Sequence, residues 1–150
     1  MRRSTHYKQG LYKPKNPKKY KGNISKICYR SSLELKFMKY CDENSNIISW
    51  SSEEFFIPYL DPTTESIRRY FPDFLIEFKQ KNGIKKYLIE VKPFRQTKRP
   101  TKGKKKPQTY LKETLEYNKN ISKWQYAQKW CEKHNVEFKI ITEKDLGVNK

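Results

Sequence analysis

An Asn82-Gly83 pair stands between two runs of alternating apolar residues, and it constrains the chain more than any other local feature. Asn-Gly favours a two-residue hairpin turn because both residues tolerate the positive φ that such a turn demands. Upstream, Phe74, Ile76 and Phe78 share one face of a strand predicted over 70–78. Downstream, Tyr87, Ile89 and Val91 share one face of a strand predicted over 85–93. With Asn82 and Gly83 as the loop, Lys81 pairs with Ile84, and Asp73 falls opposite Lys92. Glu90 then lies on the same face, diagonal to Asp73. Opposite Cβ atoms in such a ladder are ~5 Å apart and diagonal ones ~7–8 Å. Two carboxylates and a lysine therefore converge at the open end of one hairpin.

The convergence depends on register. A three-residue loop would set Asp73 against Val91 and scatter the group. An Asp facing a Lys can also be an ordinary cross-strand ion pair, with Glu90 solvated. Against that stand Ile89, Val91 and Pro93, which mark a central, buried strand. Buried charges need partners or a metal. Mg²⁺ favours one or two carboxylates completed by waters and phosphate oxygens, and Mn²⁺ would substitute. Asp73 and Glu90 are thus the candidate metal ligands. Lys92 is placed to orient or deprotonate a water, or to stabilise charge on a phosphodiester under attack.

The overall charge points to the same substrate class. Lys and Arg number 34 against 16 Asp and Glu, a net +18, which calls for a polyanionic partner. No apolar run approaches the ~18 residues of a membrane span, and no apolar segment follows the basic N-terminus as a secretory signal requires. Cys28, Cys41 and Cys131 are too widely spaced for a zinc knuckle or a disulfide framework, and are expected as free thiols in a reducing cytosol.

One domain is expected for 150 residues. Residues 1–26 carry nine Lys or Arg and no acid, with Tyr7, Tyr12 and Tyr20 among them. They are expected either as an extended arm anchored by its tyrosines or as a disordered basic tail, ahead of a domain over 27–150. A helix is predicted over 31–42, capped by Ser31 or Ser32 and striped by Leu33, Phe37 and Cys41. Short strands follow around Ile47–Trp50 and Phe55–Tyr59. Residues 95–106 hold seven Lys or Arg, with Pro100 and Gly103, and are expected as a flexible basic loop. Residues 108–134 are helical in pattern, with a break near Asn118–Asn120, and 136–142 form a last strand. The order implies an α/β fold with a mixed central sheet flanked by helices.

These residues resemble the PD-(D/E)xK nuclease superfamily, with Pro72-Asp73 as the first half-motif and Glu90-Val91-Lys92 as the second. Tyr29-Arg30-Ser31-Ser32-Leu33-Glu34 is similar to the helix that carries an extra glutamate in the branch of TnsA-type transposon endonucleases. Lys123-Trp124-Gln125-Tyr126-Ala127 and Phe138-Lys139-Ile140-Ile141-Thr142-Glu143 resemble that branch's closing helix and strand. Asn16-Pro17-Lys18-Lys19-Tyr20-Lys21-Gly22, with Ile89-Glu90-Val91-Lys92-Pro93, resembles the head completion nucleases of T-even-type tailed phages. The similarity runs from Tyr12 to Leu146.

The resemblance implies a restriction-endonuclease-like core and a Mg²⁺-dependent endonuclease. In it Asp73 and Glu90 hold metal, Lys92 is the catalytic lysine, and Glu34 contributes a further carboxylate, bound directly or through water. It also implies work in the host cytoplasm during assembly, or within the virion, cutting or trimming packaged DNA ends before tail attachment. Head, portal or neck proteins would be its partners. From the sequence alone, Glu34 also fits a capping box, returning a bond to the Ser31 N–H.

Double-stranded DNA would be engaged mainly through phosphates, by Arg30 and by Arg95, Lys98, Arg99, Lys102, Lys104, Lys105 and Lys106. Two other readings compete. One is a non-catalytic virion protein on a relict nuclease fold, binding DNA or the portal. The other is a ribonucleoprotein component, which explains the charge but not the Glu-Val-Lys strand.

Overall fold

The computed structural model describes residues 9–147; the first eight residues of the basic N-terminal segment, and the last three of the chain, lie outside that range. The described elements run β1 (Gly10–Leu11), β2 (Cys28–Tyr29), α1 (Ser32–Glu43), β3 (Ile47–Ser52), β4 (Ile57–Asp61), β5 (Ser66–Tyr70), β6 (Phe74–Gln80), β7 (Gly83–Val91), α2 (Pro107–His134) and β8 (Glu137–Ile141). The central sheet has the order β3-β6-β7-β8. Its first three strands are antiparallel, and β8 joins parallel to β7 after the long crossover through α2. A mixed sheet between helices is the architecture the sequence implied.

Strand alternation divides the interior in two. Phe74, Ile76, Ile89 and Val91 face α1, where Phe37, Met38 and Cys41 meet them along with Ile47, Trp50 and Tyr20. Leu88 and Leu75 face the other way, against Ala127 and Cys131 of α2 and Ile57, Tyr59 and Tyr70 of the β4–β5 ribbon. A strand buried on both faces cannot shift by one residue without inverting both cores. Three free thiols result, with Cys41 and Cys131 buried and Cys28 partly so.

The hairpin differs from expectation in one respect. Gln80 pairs with Gly83 and Phe74 with Ile89, so the loop is Lys81-Asn82 and Gly83 opens β7. The expected type I′ turn needs positive φ at Asn82, but Asn82 is not among the residues with that conformation, whereas Gly83 has φ +129°. The ladder is therefore displaced by two residues. An even displacement leaves every side chain on its own face, and only the partners change.

Two other expectations are corrected. The strand expected over 70–78 begins at Phe74, because Tyr70 ends β5, which pairs with β4 in a separate two-stranded ribbon. The helix expected to break near Asn118–Asn120 is continuous. Asn is a weak helix former, but its cost of well under ~1 kcal/mol is outweighed by the packing of Trp124, Ala127 and Cys131 one to three turns on. Pro107 at the first turn and Asn135 in the left-handed region (φ 57°) set its two ends.

The described part of the N-terminal segment is tied to the domain. Its tyrosines are the anchors: Tyr12 donates to Asp42 Oδ2 at 2.7 Å, and Tyr20 is buried beside Trp50 with its hydroxyl on Glu54 at 2.6 Å. Asp42 also accepts from the backbone N–H groups of Lys15 and Asn16.

Candidate active site

Continuing the β6–β7 register by one residue brings Asp73 level with Glu90, and not with Lys92 as expected. The carboxylates thus meet at the mouth of the hairpin, where Asp73 lies in a bend just past the last ladder pair and feels the charge of Glu90. Asp73 Oδ2 accepts a hydrogen bond of 2.8 Å from the Val91 N–H, which fixes its side chain to the strand that carries Glu90. Glu90 is buried, and its Oε1 accepts from the Tyr70 hydroxyl at 2.5 Å. Lys92 Nζ lies 3.7 Å from Glu90 Oε2. The predicted trio is assembled on the face of the sheet that α2 covers.

Electrostatics mark the pair as unusual. Burial, and then repulsion from Glu90 and Glu34, pushes the Asp73 carboxyl well above its ordinary range, despite the Val91 N–H and Lys92. Burial also raises Glu90, against the opposing pull of Lys92, Tyr70 and Lys123. Tyr70 is driven up by burial and by Glu90, so it remains a hydroxyl donor.

Glu34 sits on the first turn of α1. The Ser31 Oγ accepts from the Glu34 N–H at 3.1 Å, making Ser31 the cap. The Glu34 carboxylate accepts from the Arg30 N–H at 3.0 Å, one residue earlier than the capping box predicted. Its pKa is raised by burial first and by Glu53 and Glu90 further down, so it feels the hairpin carboxylates while serving the cap. Among the described residues, however, no three His, Cys, Asp or Glu side chains stand close enough to hold one ion together. Direct ligation by Asp73, Glu90 and Glu34 as a set is not assembled. The Asp73–Glu90 pair does fit a hard divalent ion. Two opposed carboxylates, both strained by burial and mutual repulsion, are a donor set that a cation relieves, leaving the other positions to water and phosphate.

Three residues of the site were not among the expected site residues, although Lys123 and Trp124 belong to the segment that resembles the family's closing helix. Tyr70 was assigned to the wrong strand, although a tyrosine in an apolar setting needs a partner for its hydroxyl. Lys123 acts on Glu90 from α2 through its charge, without an ion pair, and lies over the rings of Tyr59 and Tyr70, 5.7 Å from each. Burial, then Lys92, lowers its pKa. Trp124 follows it, its buried Nε1 directed toward Glu90, which it helps hold as a carboxylate, though too loosely placed for a well-formed hydrogen bond. A lysine beside the apolar stripe of Ile121, Trp124 and Ala127 was the available signal.

The basic residues divide. Arg30 is ion-paired with Glu53. Lys98 lies over the Phe94 ring, Arg99 over Tyr117, and Lys105 pairs with Glu113 at 2.6 Å. Arg95, Lys102, Lys104 and Lys106 are exposed, and a 3-10 turn over Phe94–Thr97 starts the segment.

Residues 44–143 match the family of TnsA-like endonuclease N-terminal domains. The chain belongs to the TnsA-like endonuclease family. It is also 38% identical over 144 residues to the head completion nuclease of Enterobacteria phage T4, covering 91% of this chain and 92% of that protein. Both resemblances seen in the sequence are therefore borne out. The family match spans Asp73, Glu90, Lys92 and Lys123, and begins after Glu34. Among the described residues no helix is long and apolar enough to cross a membrane.

Proposed function

We propose that this protein is a divalent-metal-dependent endodeoxyribonuclease that cuts or trims packaged DNA during phage head completion. The observation that carries the reading is the facing of Asp73 and Glu90 across one hairpin, with Lys92 3.7 Å from Glu90, in a chain of net charge +18. Family membership and the similarity to the phage T4 protein supply the endonuclease class and the setting.

Asp73 and Glu90 would hold the ion, with Glu34 reaching it through water. When bound, the ion would polarise the scissile phosphate and acidify a water; Mg²⁺ suits the oxygen donors, with Mn²⁺ as a substitute. The chain's own groups do the rest. Val91 N–H and Tyr70 hold the two carboxylates in place. Lys92, beside Glu90, orients the attacking water and offers charge to the phosphate as negative charge builds on it. Lys123 adds a second cation on the α2 side. Arg95, Lys98, Arg99 and the Lys102–Lys106 cluster would neutralise phosphates of double-stranded DNA leading to the hairpin, so affinity falls steeply with salt. We read it as working in the host cytoplasm or in the virion, against head, portal or neck proteins, a setting that the similarity to the phage T4 head completion nuclease supports.

The test is plasmid nicking in Mg²⁺ or Mn²⁺ by wild type and Asp73→Ala purified identically. Cleavage by the wild type alone, abolished by chelator, is the expected result. Equal cleavage by both, or cleavage undiminished in excess chelator, would overturn the site. DNA binding without cleavage by either would favour the non-catalytic virion protein.

A further inference from the structure

An open cavity of about 620 Å³ lies between α2 and the segment that follows Lys92. Its size is that of a small-molecule site, typically ~300–1,000 Å³. One wall is a face of α2, where Lys112, Glu116 and Asn120 succeed one another at four-residue spacing with Tyr117 beside them. Arg95 and Lys98 form much of the other. One helical turn beyond Asn120 the same face of α2 carries Lys123 and Trp124, and the opposite wall starts three residues after Lys92. Both walls therefore lead along the chain to residues of the carboxylate site, although Asp73, Glu90, Lys92 and Lys123 do not themselves line the cavity.

Asn120 makes the cavity more than a surface depression. It is 2% exposed, lines the space, and its Oδ1 has no hydrogen bond. A buried acceptor left unpaired is costly, and the cost is recovered when the Asn120 side chain turns its now enclosed carboxamide toward a ligand donor in the cavity. Tyr117 offers an aromatic face, with the Arg99 guanidinium 5.5 Å from its centroid. Lys105 is engaged by Glu113, but Arg95 and Lys112 have no ion pair among the described residues. Cations for a phosphate, a ring for stacking, and a carboxamide with a neighbouring carboxylate for a base edge are the groups that receive a nucleotide out of its helix. A base inside an intact duplex cannot present itself to such a recess.

We infer that this cavity receives an unpaired nucleotide of the DNA, so that the protein engages overhanging or frayed ends in preference to uninterrupted duplex. The inference rests on the nuclease reading and names the substrate feature that the site selects.

The test is fluorescence anisotropy with the full chain in Ca²⁺, using a blunt duplex, the same duplex with a short single-stranded overhang, and that overhang built from abasic units. The overhang should bind about tenfold tighter than the blunt end, within the range for one base–aromatic stack. The abasic overhang should lose that advantage. Asn120→Leu and Tyr117→Ala should each erase it while leaving blunt-end affinity unchanged. Tyr117 is only partly buried, so its variant keeps the test available if Asn120→Leu fails to fold. Equal affinity for blunt and overhanging ends, an advantage retained by abasic units, or an advantage retained in Tyr117→Ala would overturn the inference. Binding needs no cleavage: preference for the overhang without nicking in Mg²⁺ sinks the nuclease reading alone, and nicking without preference sinks the cavity alone.

Discussion

The Val91 N–H donates to Asp73 Oδ2 at 2.8 Å, so the strand that carries Glu90 and Lys92 also aims the carboxylate facing them. Charge and position can be separated here. Asp73→Asn keeps an acceptor for Val91 and removes the charge that Glu90 and Glu34 oppose. Nicking should fall by more than the ~10–100-fold typical of groups that merely support a metal ligand. Thermal melts in chelator should show Asp73→Asn at least as stable as wild type, whereas Asp73→Ala loses the hydrogen bond as well. A variant less stable than Asp73→Ala would mean that the charge itself supports the fold.

Stability should fall as pH rises through the range of these carboxyls. Glu34, Asp73 and Glu90 all have folded values raised above their ordinary 4.5, 3.8 and 4.5. The unfolded chain therefore releases these protons first, and the folded state bears the cost of charged, buried carboxylates at neutral pH. The melting advantage of Glu90→Gln over wild type in chelator should widen as pH rises from the ordinary 4.5 through the raised folded value. Mg²⁺ should close the gap by stabilising the wild type, by about 2.7 kcal/mol at a hundredfold excess over Kd. A gap independent of both pH and Mg²⁺ would remove the electrostatic account of the site.

Glu34 performs one structural duty and is proposed for a chemical one. Ser31→Ala removes the cap on the Glu34 N–H and should cost ~1 kcal/mol of stability with nicking unchanged. Glu34→Gln retains an oxygen for the Arg30 N–H, so melting should move little. If Glu34 reaches the ion through water, nicking should fall ~10–100-fold. Comparable nicking by Glu34→Gln and wild type would leave Glu34 a capping residue only.

What the residues disclosed in advance follows from the range of the signal. Alternation in Phe74–Phe78 and Tyr87–Val91 is local, and it placed both strands and put Asp73, Glu90 and Lys92 on one face. The identity of the partner was not legible, because turn residues alone do not say whether Gly83 sits in the loop or opens the strand. The even displacement kept the cluster intact and exchanged Lys92 for Glu90 opposite Asp73. Asn120 suggested a helix break because weak propensity is local while its packing is tertiary. Tyr70 bonds to Glu90 and Lys123 biases its charge from elements distant in sequence, and no spacing rule joins them to it. Tyr12 and Tyr20 were visible as anchors, but their partners Asp42 and Glu54 lie about thirty residues on.

Tyr70 supplies the last separable effect. Its hydroxyl stays protonated, because burial and Glu90 both raise it, and it donates to Glu90 Oε1 at 2.5 Å. That bond favours the ionised carboxylate, so Tyr70→Phe should raise the Glu90 pKa further. If nicking requires ionised Glu90, the acidic limb of its pH–rate profile should move to higher pH. On the alkaline side of the limb a loss of ~10–100-fold should remain, since the carboxylate is no longer held in place. The shape of the profile carries the distinction. A variant slower by the same factor at every pH would show that Tyr70 only packs against Glu90, whereas a displaced limb shows that it sets the proton affinity of a group the reaction needs ionised.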